Sequence, residues 1–169
     1  MAVANDPSPQ KIHLFILSGQ SNMVRLDPDI SFTPTVTKAL ATDQVIVVKD
    51  AKGGQPIRRW YKDWKPASGE NRKPVGDLYD QLMQKVKAAL DVKKPDSVTF
   101  LWMQGERDAK EKNGAVYGAS LKGLLDQLAH DLQREDISVV IGRLSDHGVD
   151  NAEIPDWNVI RETQIALAK

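Results

Sequence analysis

The sequence predicts an α/β fold: parallel strands joined by right-handed crossovers, with helices on both faces of the sheet. Three observations predict it. Short apolar or β-branched runs at residues 12–17, 45–48, 98–102 and 137–141 alternate with longer stretches of helical periodicity. The first three runs break off into small or polar residues, as a buried strand does on leaving a sheet. The 169 residues suffice for one domain with a proper core.

The elements follow in order. Residues 1–10 hold two prolines and little apolar character and are expected to be a flexible lead-in, with a single domain over 11–169. Residues 12–17 form the first strand, and the turn after Gly19 can begin a helix. A polar loop over 24–34 and a weakly marked helix over 35–41 precede the β-branched second strand at 45–48. Gly53-Gly54 and Pro56 mark a turn just past it. Residues 61–74 read as a long polar loop containing Trp64. Over 76–90, Leu78, Leu82, Val86 and Leu90 recur every four residues, and Asp77 favours the helix start. The third strand spans 98–102, and 103–114 reads as a charged loop. A leucine stripe marks a helix over 116–133, followed by the fourth strand at 137–141, a loop over 142–155 and a last helix over 156–168.

The formal net charge is zero, and no Lys/Arg block suggests a nucleic-acid or acidic-membrane partner. There is no cysteine, which excludes disulfides and thiolate chemistry. No apolar run approaches the roughly 20 residues that span a bilayer, and residues 1–10 lack the apolar core of a signal peptide.

Three polar clusters follow three strands: 19–23, 53–57 and 104–108. In a parallel sheet they fall on one edge, where open α/β sheets bind ligands. Ser21 offers a hydroxyl nucleophile, Gly54 an unobstructed backbone N–H, and Gln104 a side-chain amide donor; acyl transfer needs all three kinds of group. Arg58, Arg59, Trp60 and Trp64 either form a sugar-binding rim or belong to a loop anchored by a buried tryptophan.

The residues Leu17-Ser18-Gly19-Gln20-Ser21-Asn22-Met23, Gly53-Gly54 and Trp102-Met103-Gln104-Gly105-Glu106-Arg107-Asp108 together resemble the successive blocks of the SGNH-hydrolase superfamily. They are most similar to its sialate O-acetylesterase / carbohydrate esterase family 6 branch. Trp157 to Gln164 resembles that branch's arginine-x-x-glutamine segment, with Arg161 and Gln164 in those places. The resemblance implies a flavodoxin-like three-layer α/β/α sandwich and a serine esterase that removes acetyl groups from sugar hydroxyls, with no metal and no cofactor. It casts Ser21 as nucleophile, the Ser21 and Gly54 N–H groups with Gln104 as oxyanion hole, and Glu106 as an acidic partner or substrate contact. Gln20, Asn22, Arg58 and Arg107 are the candidate substrate contacts. The implied partner is an acetylated carbohydrate, and the implied compartment is secreted or periplasmic.

The sequence departs from that pattern in one respect. The family's aspartate-x-x-histidine block, after its fifth strand, has no counterpart before Lys169. His13 falls in a strand, His130 in a helix, and His147 in the loop after the fourth strand, on the correct edge; His147 is the substitute candidate for the base. The alternative is therefore a non-catalytic, carbohydrate-binding remnant of such an esterase. A missing last strand and helix would leave the fourth strand as an open edge. The expectation is that a further C-terminal segment completes the sheet or that the chain self-associates.

Overall fold

A computed structural model describes residues 9–69, 72–148 and 151–168. Most of the lead-in expected over 1–10 lies outside the described residues. The element order is β1 (Ile12–Gly19), α1 (Ser21–Arg25), α2 (Phe32–Ala39), β2 (Gln44–Ala51), a 3-10 turn at Ile57–Arg59, α3 (Asp77–Leu90), β3 (Ser97–Met103), α4 (Glu106–Lys110), α5 (Gly114–Leu132), β4 (Ser138–Ile141) and α6 (Asp156–Leu167). The four strands form one parallel sheet in the order β2-β1-β3-β4.

β1 is central because it is apolar on both faces. Leu14 and Ile16 join Val48, Val98, Phe100 and Trp102 in a core closed by Leu82 and Val86 of α3 and Leu121, Leu124 and Leu128 of α5. On the opposite face Phe15 meets Phe32 of α2 edge to face, at 5.5 Å. The strands run past their apolar stretches. Ser18 and Gly19 still pair with Asp50 and Ala51 on one side and with Trp102 and Met103 on the other. Ladder pairing uses backbone groups, so it continues where side chains turn polar, and Ser18 Oγ is satisfied by the Asp50 carbonyl at 2.7 Å.

One helix, α4, lies where the sequence reads as loop, while α1 stands where the turn after Gly19 is expected to begin a helix. α1 and α4 have five residues each, too few to display an apolar period. Trp60 and Trp64 are both about 1% exposed, and Trp60 packs edge to face on Trp102 at 5.2 Å. The aromatic part of the expected rim is therefore core, because large rings bury more area than a loop can leave outside. On β4, Val139 and Val140 are exposed, and the outer edge has no strand partner among the described residues. No described helix is long and apolar enough to cross a membrane.

The order places β2 on one side of β1 and β3 on the other. The chain thus leaves β1 in one direction and returns past it in the other. The reversal falls between the carboxyl ends of β1 and β3, and such switch points are where open α/β sheets carry ligands.

Candidate active site

Gly19 ends β1 at φ +140°, and a Cβ there would lie 2.1 Å from the Met103 carbonyl oxygen. Only glycine permits the two backbones to come so close. The approach lets Gln20 N–H donate to that carbonyl at 2.8 Å, which fixes the first residue past the strand. α1 begins at the next residue, so the N–H groups of Ser21, Asn22 and Met23 have no carbonyl behind them within the helix. Ser21 is half-buried.

The block after β3 braces this loop. Asn22 Nδ2 donates to Glu106 Oε1 at 2.8 Å. Gln20 Oε1 accepts from the Arg107 N–H at 3.2 Å. Gln20, expected as a substrate contact, is only about 3% exposed. Its side chain turns inward to hold the start of α4 and presents no surface to a ligand.

Gln104 is the hub, at about 1% exposure. Its Nε2 faces Asp108 Oδ2 at 2.5 Å, the Gln55 carbonyl at 3.1 Å and Gln20 Oε1 at 3.4 Å. Its own carbonyl accepts from Tyr117 Oη at 2.9 Å and Gln164 Nε2 at 2.8 Å. Asp108 Oδ2 also accepts the Ile57 N–H at 2.8 Å, so one carboxylate ties the turn after β2 to α4. Gly54, exposed and at φ +67°, lies in the loop that these bonds anchor. Arg59 anchors it from outside, with Nε and Nη2 on the two Asp77 oxygens at 2.6 and 2.5 Å and Nη1 on Gln55 Oε1 at 2.7 Å.

Several polar atoms here are left unmatched. Gln104 Oε1, Glu106 Oε2 and Asp108 Oδ1 are buried with no hydrogen-bond partner among the described residues. Burial pushes the Asp108 carboxyl up to about 6, against the pull of Gln104 and of the Ile57 N–H. Burial also raises Glu106, opposed by its own backbone N–H, Lys110 and Asn22.

The remaining candidates fall apart from one another. Arg58 and Arg107 approach Glu111, at 3.9 and 2.6 Å. His147 stacks on Trp157 at 4.8 Å and 27°, and is exposed. No hydrogen bond joins it to Ser21 among the described residues. His13 sits at the opposite end of the sheet, bonded to Ser97 and Asp43, and His130 is on the surface beside Asp131. Among the described residues no group of three or more His, Asp or Glu side chains is placed to hold a metal.

Gln164, the glutamine of the arginine-x-x-glutamine segment, is a bracing residue to which the sequence assigned no role. It is about 1% exposed and joins two loops, donating to the Gln104 carbonyl and accepting the Leu144 N–H at 2.9 Å. Its signal is a glutamine in the buried stripe of α6, with Trp157 and Ile160. The Arg58–Arg107–Glu111 group has only the i,i+4 spacing of Arg107 and Glu111 to announce it.

The model of the family described as carbohydrate esterase, sialic acid-specific acetylesterase, matches residues 23–169. The match begins two residues past Ser21. No curated protein matches the chain in sequence. Solved structures share the fold, two of them as follows. A protein from Arabidopsis thaliana superposes with a TM-score of 0.68 at 18% identity, over 94% of this chain and 82% of its own. A carbohydrate acetylesterase from Xanthomonas citri superposes with a TM-score of 0.64 at 16% identity, over 92% of this chain and 47% of its own.

Proposed function

Because this chain belongs to the carbohydrate esterase, sialic acid-specific acetylesterase family, we propose that it removes acetyl groups from sugar hydroxyls with Ser21 as nucleophile. The observation that carries the reading is the convergence of Ser21, the Gly54 loop and Gln104 at the crevice between β1 and β3, tied together through Asn22–Glu106 and Gln55–Gln104. In this reading Ser21 Oγ adds to the acetyl carbonyl. The sugar oxygen leaves with a proton, and water then releases acetate and restores the serine.

The oxyanion of the tetrahedral intermediate is assigned to the Ser21 and Gly54 N–H groups, each such donor being worth about 3 kcal/mol. Gln104 is a third donor only if its amide releases an acceptor, and the Gln20 oxygen at 3.4 Å is the loosest of the three. Glu106, through Asn22, holds the nucleophile's turn in place. The serine proton also needs an acceptor. His147 serves in that role only by leaving its stack on Trp157.

The test is hydrolysis of 4-nitrophenyl acetate by the chain and by Ser21→Ala, with the fold checked by circular dichroism. The expected result is turnover by the parent and a loss of at least ~10²-fold in the variant. Equal rates would sink the nucleophile assignment. No turnover from a folded parent would favour a glycan-binding role for the same crevice.

A further inference from the structure

We propose that Lys49 of β2 is a positioning residue that fixes the orientation of α1 and, through it, of Ser21; the proposal rests on the esterase reading and adds a residue to the same machinery. The Lys49 ammonium donates to the Val24 carbonyl at 2.9 Å and to the Leu26 carbonyl. Both carbonyls belong to the end of α1, and Ser21 is the first residue of that helix.

α1 depends on outside support. Five residues make little more than one turn, and one turn does not repay the cost of fixing its backbone. At its start the support comes from the β3 side, through Gln20 N–H on the Met103 carbonyl and Asn22 on Glu106. At its end the support comes from the β2 side, through Lys49. The helix is thus pinned from both of the strands that flank β1.

Lys49 is out of character for its place. It extends the β-branched run at 45–48 and pairs with Leu17, which is fully buried. A half-buried ammonium there needs acceptors. The last carbonyls of a helix have no N–H ahead of them within it, and they favour a cation. Each group therefore satisfies the other. Without the pin, α1 is held only by its first turn, and the Ser21 hydroxyl turns with it. A misplacement of about 1 Å at a reacting atom costs ~10²-fold in rate.

The test uses the absence of cysteine from the chain. Ser21→Cys introduces a single thiol at the nucleophile's position, and its alkylation by iodoacetamide is followed over about pH 5–10 in ~0.5 M salt, which screens the lysine's own charge. With Lys49 in place, the N–H groups at the start of α1 are expected to hold the midpoint of that profile below the ordinary thiol value of about 8.5. Adding Lys49→Met should raise the midpoint by at least about half a unit, which is ~3-fold less thiolate at pH 7. Lys49→Arg should restore most of the shift. Lys49→Gln should fall between the two, and it carries the test alone if Lys49→Met does not fold. Lys85→Met, which removes the ammonium bonded to the adjacent Asp50 at 2.7 Å, should leave the midpoint in place. A midpoint unmoved by Lys49→Met or, where that variant does not fold, by Lys49→Gln would overturn the proposal, and so would one moved equally by Lys85→Met. In the chain with Ser21 intact, Lys49→Met should lower kcat on 4-nitrophenyl acetate ~10-fold and leave KM within about twofold; an unchanged kcat would overturn the proposal. The thiol needs neither a base nor an ester. A parent without turnover would therefore count against the esterase reading, while the midpoint would still decide the role of Lys49.

Discussion

The two ends of the sheet are built from similar residues and treat them in opposite ways. Where the strands begin, the side chains of His13, Ser97, Asp43 and Asp96 all find partners. His13 bridges Ser97 at 2.7 Å and Asp43 at 3.0 Å, Asp43 also accepts the Lys11 N–H, and Asp96 accepts the Ile12 N–H. Where the strands end, carboxylates and amides are packed more deeply and left short of partners: Gln104 Oε1, Glu106 Oε2 and Asp108 Oδ1 are all buried and unmatched. A histidine beside an aspartate is a catalytic motif on paper, yet here it is a clamp. Burial without satisfaction, rather than the presence of chemical residues, separates a site from a brace.

Three experiments break or sharpen that contrast. The largest effect is expected from Gln164→Leu, which strips a partner from the buried Leu144 N–H and one of two from the Gln104 carbonyl. The loss of stability should be about 2–4 kcal/mol by denaturant unfolding. A change under about 0.5 kcal/mol would mean that water replaces the glutamine and that the strand-end side is less closed than described.

Asp108→Asn comes next. A carboxyl raised in the fold from 3.8 to about 6 contributes most below pH 4, and that contribution is lost as pH rises through 6. The parent should lose about 3 kcal/mol from this group across the window, and the variant's profile should lack that component. Parallel pH profiles for the two proteins would show that Asp108 titrates normally.

The smallest effect belongs to the matched end. The hydrogen bond from His13, first among its causes, holds Asp43 below the usual carboxylate range. Stability from that pairing is present above pH 4 and lost as pH falls further. His13→Phe should destabilise less than Gln164→Leu, with the gap to the parent closing in acid. A gap that stays constant down to pH 2 would detach Asp43 from the effect.

The strands and the three long helices were legible because burial on one or both faces writes a period into the side chains; the observed α3, α5 and α6 fall within two residues of the expected ends. α4 was not legible, and of α1 only the start was, since five residues make little more than one turn. That the segments holding Gln20, Gln55 and Gln104 meet followed from parallel topology alone. The inward turn of Gln20 did not, because a side chain one residue past a strand can face either way, and here a partner 87 positions away decides it. Trp60 and Trp64 show the same limit. A tryptophan in a polar loop is ambiguous until the core beneath it is known.

The backbone ladder overruns its strands. Gln20 N–H reaches Met103, Lys52 N–H reaches Gly19 at 3.0 Å, and Gly142 N–H reaches Trp102 at 2.8 Å. Loops at catalytic ends are commonly hinges that swing over a substrate. The stretch carrying Ser21 is instead welded to the sheet at the residue before the serine, so it moves only as the sheet moves. In mechanical terms it is an anvil.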